Sequence, residues 1–251
     1  MSANKKKSRT SHRELFVVSK DAPFQFVEAY KSLRTNLEFL SATSNCKTIL
    51  ITSSVPEEGK SNVAINLAIT LAASNKRVVL VDCDMRKSAI SRYLRIPRSH
   101  SGLTNVITTK DVGKLPDALL RLKDNGITVL PVGTIPPNPA ELLSTPIVER
   151  IFTALQQTYD YVIVDTPPIG VVSDALELSQ YTGGLVIVTR QGVTTYEDVK
   201  RTLSSAKFLN VNILGLVVNG IEDSKFNGYG KYNKYKKYGK YSYSYEQNTE
   251  K

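Results

Sequence analysis

A doubly wound α/β fold with a mostly parallel sheet is predicted for this 251-residue chain by three observations. Short, β-branched apolar runs alternate with longer segments of helical period. The runs are apolar throughout rather than at every second residue, as in strands covered on both faces. Between residues 48 and 73 a strand pattern, a tight loop and an Ala/Leu-rich helical pattern follow one another without a gap, as in the units that build such sheets.

The elements follow in order. Residues 1–20 are polar and basic, and residues 21–43 read as a helix with Phe26, Tyr30, Leu33, Leu37 and Leu40 at spacings of three and four. Strands are expected at TILIT (48–52), RVVLVD (77–82), GITVLP (126–131), YVIVD (161–165), GLVIVT (184–189) and ILGLVVN (213–219). Helices are expected at 63–73 and around 140–158, 173–181 and 194–209. The domain organisation is a basic segment (1–20), a body (21–223) and a Tyr-rich tail (224–251).

The net charge of +10 is carried by the two ends. Lys5, Lys6, Lys7, Arg9 and Arg13 have no acid beside them, and seven Lys after Ser224 face only Glu246 and Glu250. The body is therefore neutral, which argues against a nucleic-acid-binding fold. No apolar run approaches the roughly 18 residues of a membrane span, and the polar N-terminus lacks a signal-peptide core, so a cytosolic protein is expected. Cys46 and Cys83 are too few for a disulfide framework or a zinc site and are expected as free thiols.

Seven of the thirteen tyrosines lie between residues 229 and 245. Tyr229, Tyr232, Tyr235, Tyr238 and Tyr241 recur every third residue, followed by Tyr243 and Tyr245, a period of neither helix nor strand. They do not line a core face. With Gly228, Gly230, Gly239 and many Lys, the tail has the composition of a mobile segment. Fully extended at about 3.3 Å per residue, its 28 residues span on the order of 90 Å.

The chemistry concentrates at SVPEEGKS (54–61), the P-loop pattern in its strand–loop–helix setting, with Ser54 where the first Gly is usual. Pro56, Glu57, Glu58, Gly59, Lys60, Ser61 and Asn62 are the expected nucleotide-binding residues, the backbone N–H groups from Glu57 onward offering a positive cradle for phosphates. Lys60 would reach the β/γ-phosphates, and the Ser61 hydroxyl would bind Mg²⁺. Asp82, Asp84 and Asp165 end strands on the same side of the sheet, where ligands of open parallel sheets bind. Ser61, Asp165 and Asp82 or Asp84 suit Mg²⁺, which takes one or two carboxylates beside phosphate and water.

The combination of this Walker A loop, the acidic motif VLVDCDMR (79–86), the Walker B motif VIVDTPP (162–168), the segment LPVGTIPPNPAELLST (130–145) and the tail resembles the bacterial tyrosine kinases. The likeness is to the CpsD/CapB type of Gram-positive capsule and exopolysaccharide systems, and it covers roughly residues 24–251. It implies a P-loop NTPase fold and an ATP- and Mg²⁺-dependent protein-tyrosine kinase. In that family the chain phosphorylates its own tail tyrosines, in trans, and regulates polysaccharide synthesis. The implied partners are a transmembrane adaptor that activates the kinase at the inner face of the membrane, other copies of the chain in a ring-shaped oligomer, protein substrates and an opposing tyrosine phosphatase.

Within the resemblance Lys60 holds phosphate, and Asp82 or Asp84 orients the tyrosyl hydroxyl or accepts its proton, the two roles being exchangeable. Arg86 either steadies the γ-phosphate or pairs with an acid, and Asn219 either contacts adenine or is a plain turn residue. The family's self-association motif E-x-x-R-x-x-R is matched by Glu28, Lys31 and Arg34, with Lys in place of the first Arg. A lysine keeps the charge and loses bidentate pairing. The competing assignment is a MinD/ParA-type ATPase acting as a positioning switch on membrane or nucleoid. Its signature lysine would stand at residue 55, which here is Val55.

Overall fold

The computed structural model describes residues 17–19, 21–44, 46–208 and 210–221. The chain divides into a unit ending at Asn219 and a second from Gly220 to Lys251, of which Gly220 and Ile221 are described. The tail tyrosines and most of the basic N-terminal segment lie outside the described residues.

Seven strands form one sheet: β1 (Thr48–Ser53), β2 (Val78–Asp82), β3 (Leu120–Arg121), β4 (Thr128–Leu130), β5 (Tyr161–Asp165), β6 (Gly184–Arg190) and β7 (Ile213–Asn219). Their order is β3-β4-β2-β5-β1-β6-β7, and every pairing is parallel except β3 with β4. The connecting helices are α1 (Phe24–Ser44), α2 (Lys60–Ala72), α3 (Ile90–Tyr93), α4 (Leu103–Thr109), α5 (Leu115–Ala118), α6 (Pro139–Leu143), α7 (Pro146–Thr158), α8 (Asp174–Ser179) and α9 (Tyr196–Phe208).

Alternate residues of each central strand serve opposite faces, which is why the runs are apolar throughout. Ile49, Ile51, Leu80 and Ile163 pack with Val63, Leu67 and Leu71 of α2. Leu50, Val79, Val81, Val162 and Val164 pack on the other face with Leu103, Ile151, Phe152 and Leu178. Each such fully buried aliphatic side chain contributes about 1.5–3 kcal/mol. The doubly wound arrangement expected from the sequence is the one observed. Tyr30 and Leu37 of α1 are buried, and Phe26, Leu33 and Leu40 are half-buried. Cys46 and Cys83 are free and buried, and no helix of the described residues is long and apolar enough to cross a membrane.

Two readings change. The single helix expected around 140–158 is two, because Thr145 precedes Pro146 and takes an extended conformation (φ −78°, ψ 146°) that ends α6 and starts α7. Residues 87–125, left without assignment, hold α3, α4, α5 and β3, each too short for its periodicity to register.

The amino ends of β2 and β5 are tied by an exposed ion pair. The Arg77 amide and guanidinium donate to Asp160 at 2.8 and 2.7 Å, while the Asp160 amide donates to the Arg77 carbonyl at 2.9 Å. The guanidinium holds the Asp160 carboxyl down to about 2. A depressed folded-state pKa adds stability above the unfolded value, near 3.9, and loses it as pH falls through 2. Asp160→Asn is expected to lower the urea midpoint modestly at pH 7, and by progressively less between pH 4 and pH 2. Urea titrations of both proteins across that range, with a constant gap counting against the assignment, check this.

Candidate active site

The loop between β1 and α2 is shaped by two left-handed residues, Glu57 (φ 68°) and Gly59 (φ 92°). Gly59 has a second reason to lack a side chain, since a Cβ there would meet Asn219 Nδ2 at 2.1 Å. Glu57 has no such dispensation, because a non-glycine residue in that region carries strain of about 1–2 kcal/mol. The loop's outer flank is fastened at four points. Glu58 is fully buried, and its carboxylate accepts from the Val55 amide at 2.8 Å and from the Thr194 hydroxyl. Asn219 Nδ2 donates to the Glu58 carbonyl at 2.9 Å, and Arg190 Nη1 donates to the Glu57 carbonyl at 3.3 Å. On the opposite side Gly170 lies so close that a Cβ would meet the Ser54 carbonyl at 2.2 Å.

The acidic strand ends converge as the sequence predicts. Asp82 and Asp165 are register partners across β2 and β5. Lys60 Nζ lies 2.7 Å from Asp84 Oδ2, 3.8 Å from Asp165 Oδ1 and 3.3 Å from Ser61 Oγ. Asp82, Asp84 and Asp165 are all buried. Burial alone would pull the Lys60 pKa down, and the opposing charges of Asp165 and Asp84 push it above its ordinary value. Burial, reinforced by mutual repulsion, raises Asp82 and Asp165 above the usual carboxylate range, with Lys60 opposing the rise. Cys83, between two of these acids, is fully buried, and burial followed by the Asp82 charge raises its thiol pKa.

The three carboxylates are not equivalent. Asp82 accepts from the Ser88 hydroxyl at 2.6 Å through one oxygen and from the Asp84 amide at 3.2 Å through the other. Asp84 accepts from Lys60 and, at 2.9 Å, from the Lys87 amide. Both Asp165 oxygens are buried without a hydrogen bond. With only the Lys60 charge at 3.8 Å to offset their lost solvation, these acceptors suit a further donor or a cation. Among the described residues no group of three or more His, Cys, Asp or Glu forms a metal cluster. A cation here would rely on one or two carboxylates, the Ser61 hydroxyl, phosphate and water, which is the donor set Mg²⁺ takes.

Of the other predicted site residues, Arg86 pairs with buried Asp174 at the start of α8, with its Nε and Nη2 donating at 3.0 and 3.2 Å. Of its two open roles, the structure supplies the acid partner. The Asn62 side chain accepts from the Tyr30 hydroxyl at 3.3 Å and from Asn66 at 2.8 Å, tying α1 to the start of α2. Glu28 and Lys31 pair with each other at 2.7 Å, and Arg34 donates to the Thr70 carbonyl at 3.2 Å. Sequence reasoning missed Thr194, Arg190, Ser88 and Asp174. Only Asp174 left a signal, an acid opening the helical pattern after the Walker B motif.

Residues 45–249 match the ParA family model described as an iron-transfer P-loop NTPase of the NUBPL kind. The chain is 36% identical over 226 residues to the tyrosine-protein kinase YwqD of Bacillus subtilis, covering 90% of this chain and 94% of that protein. It is 31% identical to the tyrosine-protein kinase Etk of Escherichia coli, of which it spans 30% of the length. The solved kinase domain of that enzyme superposes with a TM-score of 0.75 at 30% identity, over 84% of this chain and 85% of the other. The septum site-determining protein MinD of Pyrococcus horikoshii, solved with Mg-ADP, aligns at 22% identity and a TM-score of 0.58 over 68% and 69% of the two chains, a likeness of fold.

Two substitutions test this geometry. Glu57→Gly relieves the left-handed strain and is expected to raise the melting temperature by a few degrees, roughly 1 kcal/mol, in thermal unfolding followed by circular dichroism. Asp165→Asn removes a buried carboxylate that Lys60 only partly offsets and is expected to stabilise the nucleotide-free protein while abolishing the extra stability gained from Mg-ADP. Because the folded-state pKa is raised, the wild-type carboxylate detracts from stability increasingly as pH climbs above about 4, so the gain is larger at pH 8 than at pH 5. An unchanged Mg-ADP shift in the variant would remove Asp165 from the cation site.

Proposed function

The chain belongs to the bacterial tyrosine kinases, built on a ParA-type P-loop fold, and we propose that it is an ATP-dependent protein-tyrosine kinase whose own C-terminal tyrosines are substrates. One observation carries the reading: a P-loop lysine held 2.7 Å from Asp84, beside a buried Asp165 whose oxygens have no hydrogen bond. Phosphoryl transfer asks a protein mainly for positioning and charge stabilisation, and this constellation is suited to both.

In this reading the loop amides from Glu57 to Ser61, with Pro56 shaping the turn, and the amino end of α2 bind the nucleotide phosphates. Lys60 leaves Asp84 for the phosphates when nucleotide enters, which frees a carboxylate at the moment a tyrosyl hydroxyl needs one. Asp84 then orients that hydroxyl and accepts its proton, since a phenol of pKa about 10 is a poor nucleophile at neutral pH unaided. Asp82, with both oxygens engaged, fixes the Asp84 amide and Ser88. Asp165 and Ser61 would hold Mg²⁺, which would supply charge to neutralise the phosphates. Arg86 keeps the loop after β5 in place through Asp174. Asn219 serves the site through the Glu58 carbonyl.

Tyr229, Tyr232, Tyr235, Tyr238, Tyr241, Tyr243 and Tyr245 are the proposed acceptors, reached in trans within an oligomer that uses the α1 face of Glu28, Lys31 and Arg34. Control of capsule or exopolysaccharide synthesis, recruitment to the inner face of the membrane by a transmembrane adaptor and reversal by a tyrosine phosphatase complete the proposal. They rest on the family resemblance. The positioning-switch alternative is disfavoured by Val55, since a lysine is needed there.

Incubation with Mg-ATP, with and without an adaptor peptide, followed by phosphotyrosine mapping by mass spectrometry, tests the reading. The tail is expected to be modified, and Lys60→Met to lower incorporation by at least a hundredfold. ATP hydrolysis without phosphotyrosine would instead support the switch.

A further inference from the structure

A recess of about 410 Å³ lies at the β3 edge of the sheet, away from the P-loop strand β1 in the strand order. Its lining brings together Val17, the end of α3 and the turn between β3 and β4. Val17, Leu94 and Leu122 give it half-buried apolar walls, with the Tyr93 ring among them. Arg95, Arg121 and Lys123 are exposed at the recess, with Asp124 the single carboxylate. Arg92 caps the Tyr93 ring from 5.0 Å. None of the described carboxylates forms a salt bridge with Arg95, Arg121 or Lys123, whereas Arg77, Arg86, Lys60 and Lys31 each have an acidic partner.

The volume falls within the range of small-ligand sites. Three unneutralised cations beside apolar and aromatic walls select a ligand with a dense negative charge on an apolar ring. Arginine forks match phosphate oxygens, and arginine clusters are the common device for reading phosphorylated side chains. An ordinary acidic residue supplies neither the ring nor the two negative charges.

We propose that this recess is a binding site for phosphotyrosine, and that its occupant is the phosphorylated tail of a second copy of the chain. Charge complementarity favours this occupant. The unmodified tail, with seven Lys against Glu246 and Glu250, is repelled by the recess. Each phosphate adds about −1.5 to −2, so about three phosphates bring the tail past neutrality and favour binding. The acidic P-loop site has the opposite preference. Multiple phosphorylation thus transfers the tail from one site to the other. The kinase activity proposed above enters only as the source of the phosphate.

The test uses synthetic peptides and needs no catalysis. Fluorescein-labelled peptide 228–246, phosphorylated at Tyr232, Tyr235 and Tyr238, is titrated with the full chain in fluorescence anisotropy without nucleotide. Two controls accompany it, the unmodified peptide and one carrying Tyr232→Glu, Tyr235→Glu and Tyr238→Glu. The phosphopeptide is expected to bind at least tenfold more tightly than either, and phenyl phosphate to displace it at lower concentration than inorganic phosphate. Arg95→Glu with Arg121→Glu is expected to weaken binding at least tenfold with an unchanged melting temperature; Lys123→Ala, a milder change, serves if that protein misfolds. Equal binding of the glutamate peptide, or undiminished binding by the variants, would overturn the site. So would arginine-dependent binding to phosphatidylserine vesicles without arginine-dependent phosphopeptide binding. Failure of the peptides leaves the kinase reading intact, and failure to autophosphorylate leaves the peptide result intact.

Discussion

The contact between Lys60 and the carboxylates of Asp84 and Asp165 is the constraint around which the rest of the molecule is arranged. Three acids and one ammonium share a buried region, Asp82 and Asp84 held there by the end of β2, Asp165 by the end of β5 and Lys60 by the P-loop. Buried charges of one sign repel strongly where solvent is excluded, so the cluster persists only because the surrounding sheet is rigid enough to enforce it. The parallel order of β2, β5 and β1 supplies that rigidity, since it places the buried carboxyl ends of three strands side by side.

The loops follow the same logic at a finer scale. The P-loop is fastened away from the acids to Arg190 at the end of β6, Thr194 after it and Asn219 at the end of β7, and it packs closely on Gly170 after β5. Glu58 is the least expected member, a carboxylate inside a loop meant to receive phosphate. It is tolerable because it faces the Val55 amide and the Thr194 hydroxyl. Its place illustrates how a motif position free to vary in type can be fixed by neighbours far along the chain.

Much of this was legible in the sequence, for reasons that differ by element. Strands buried on both faces announce themselves as apolar runs, and P-loop, acidic and Walker B motifs are local, so β1, β2, β5, Lys60, Asp82, Asp84 and Asp165 were found in place. The short helices of residues 87–125 carried no usable period, and Pro146 broke a helix whose hydrophobic pattern ran through it. The fastenings of the loop were invisible because they are long-range: Thr194 meets Glu58 across 136 positions, and Arg86 meets Asp174 across 88. Nor could spacing show that Asp82 and Asp84 have different hydrogen-bond partners.

The two thiols have a bearing on how the protein will respond to reactive chemistry. Cys83 sits at the centre of the acidic cluster, fully buried, and Cys46 lies under the first strand with its thiol pushed up to about 11 by burial. Neither supplies thiolate to an oxidant or an alkylating reagent at neutral pH. Burial of both thiols means that maleimide labelling is expected to follow opening of the fold. The same pair that contributes nothing to redox control thus offers a built-in gauge of how often this domain opens.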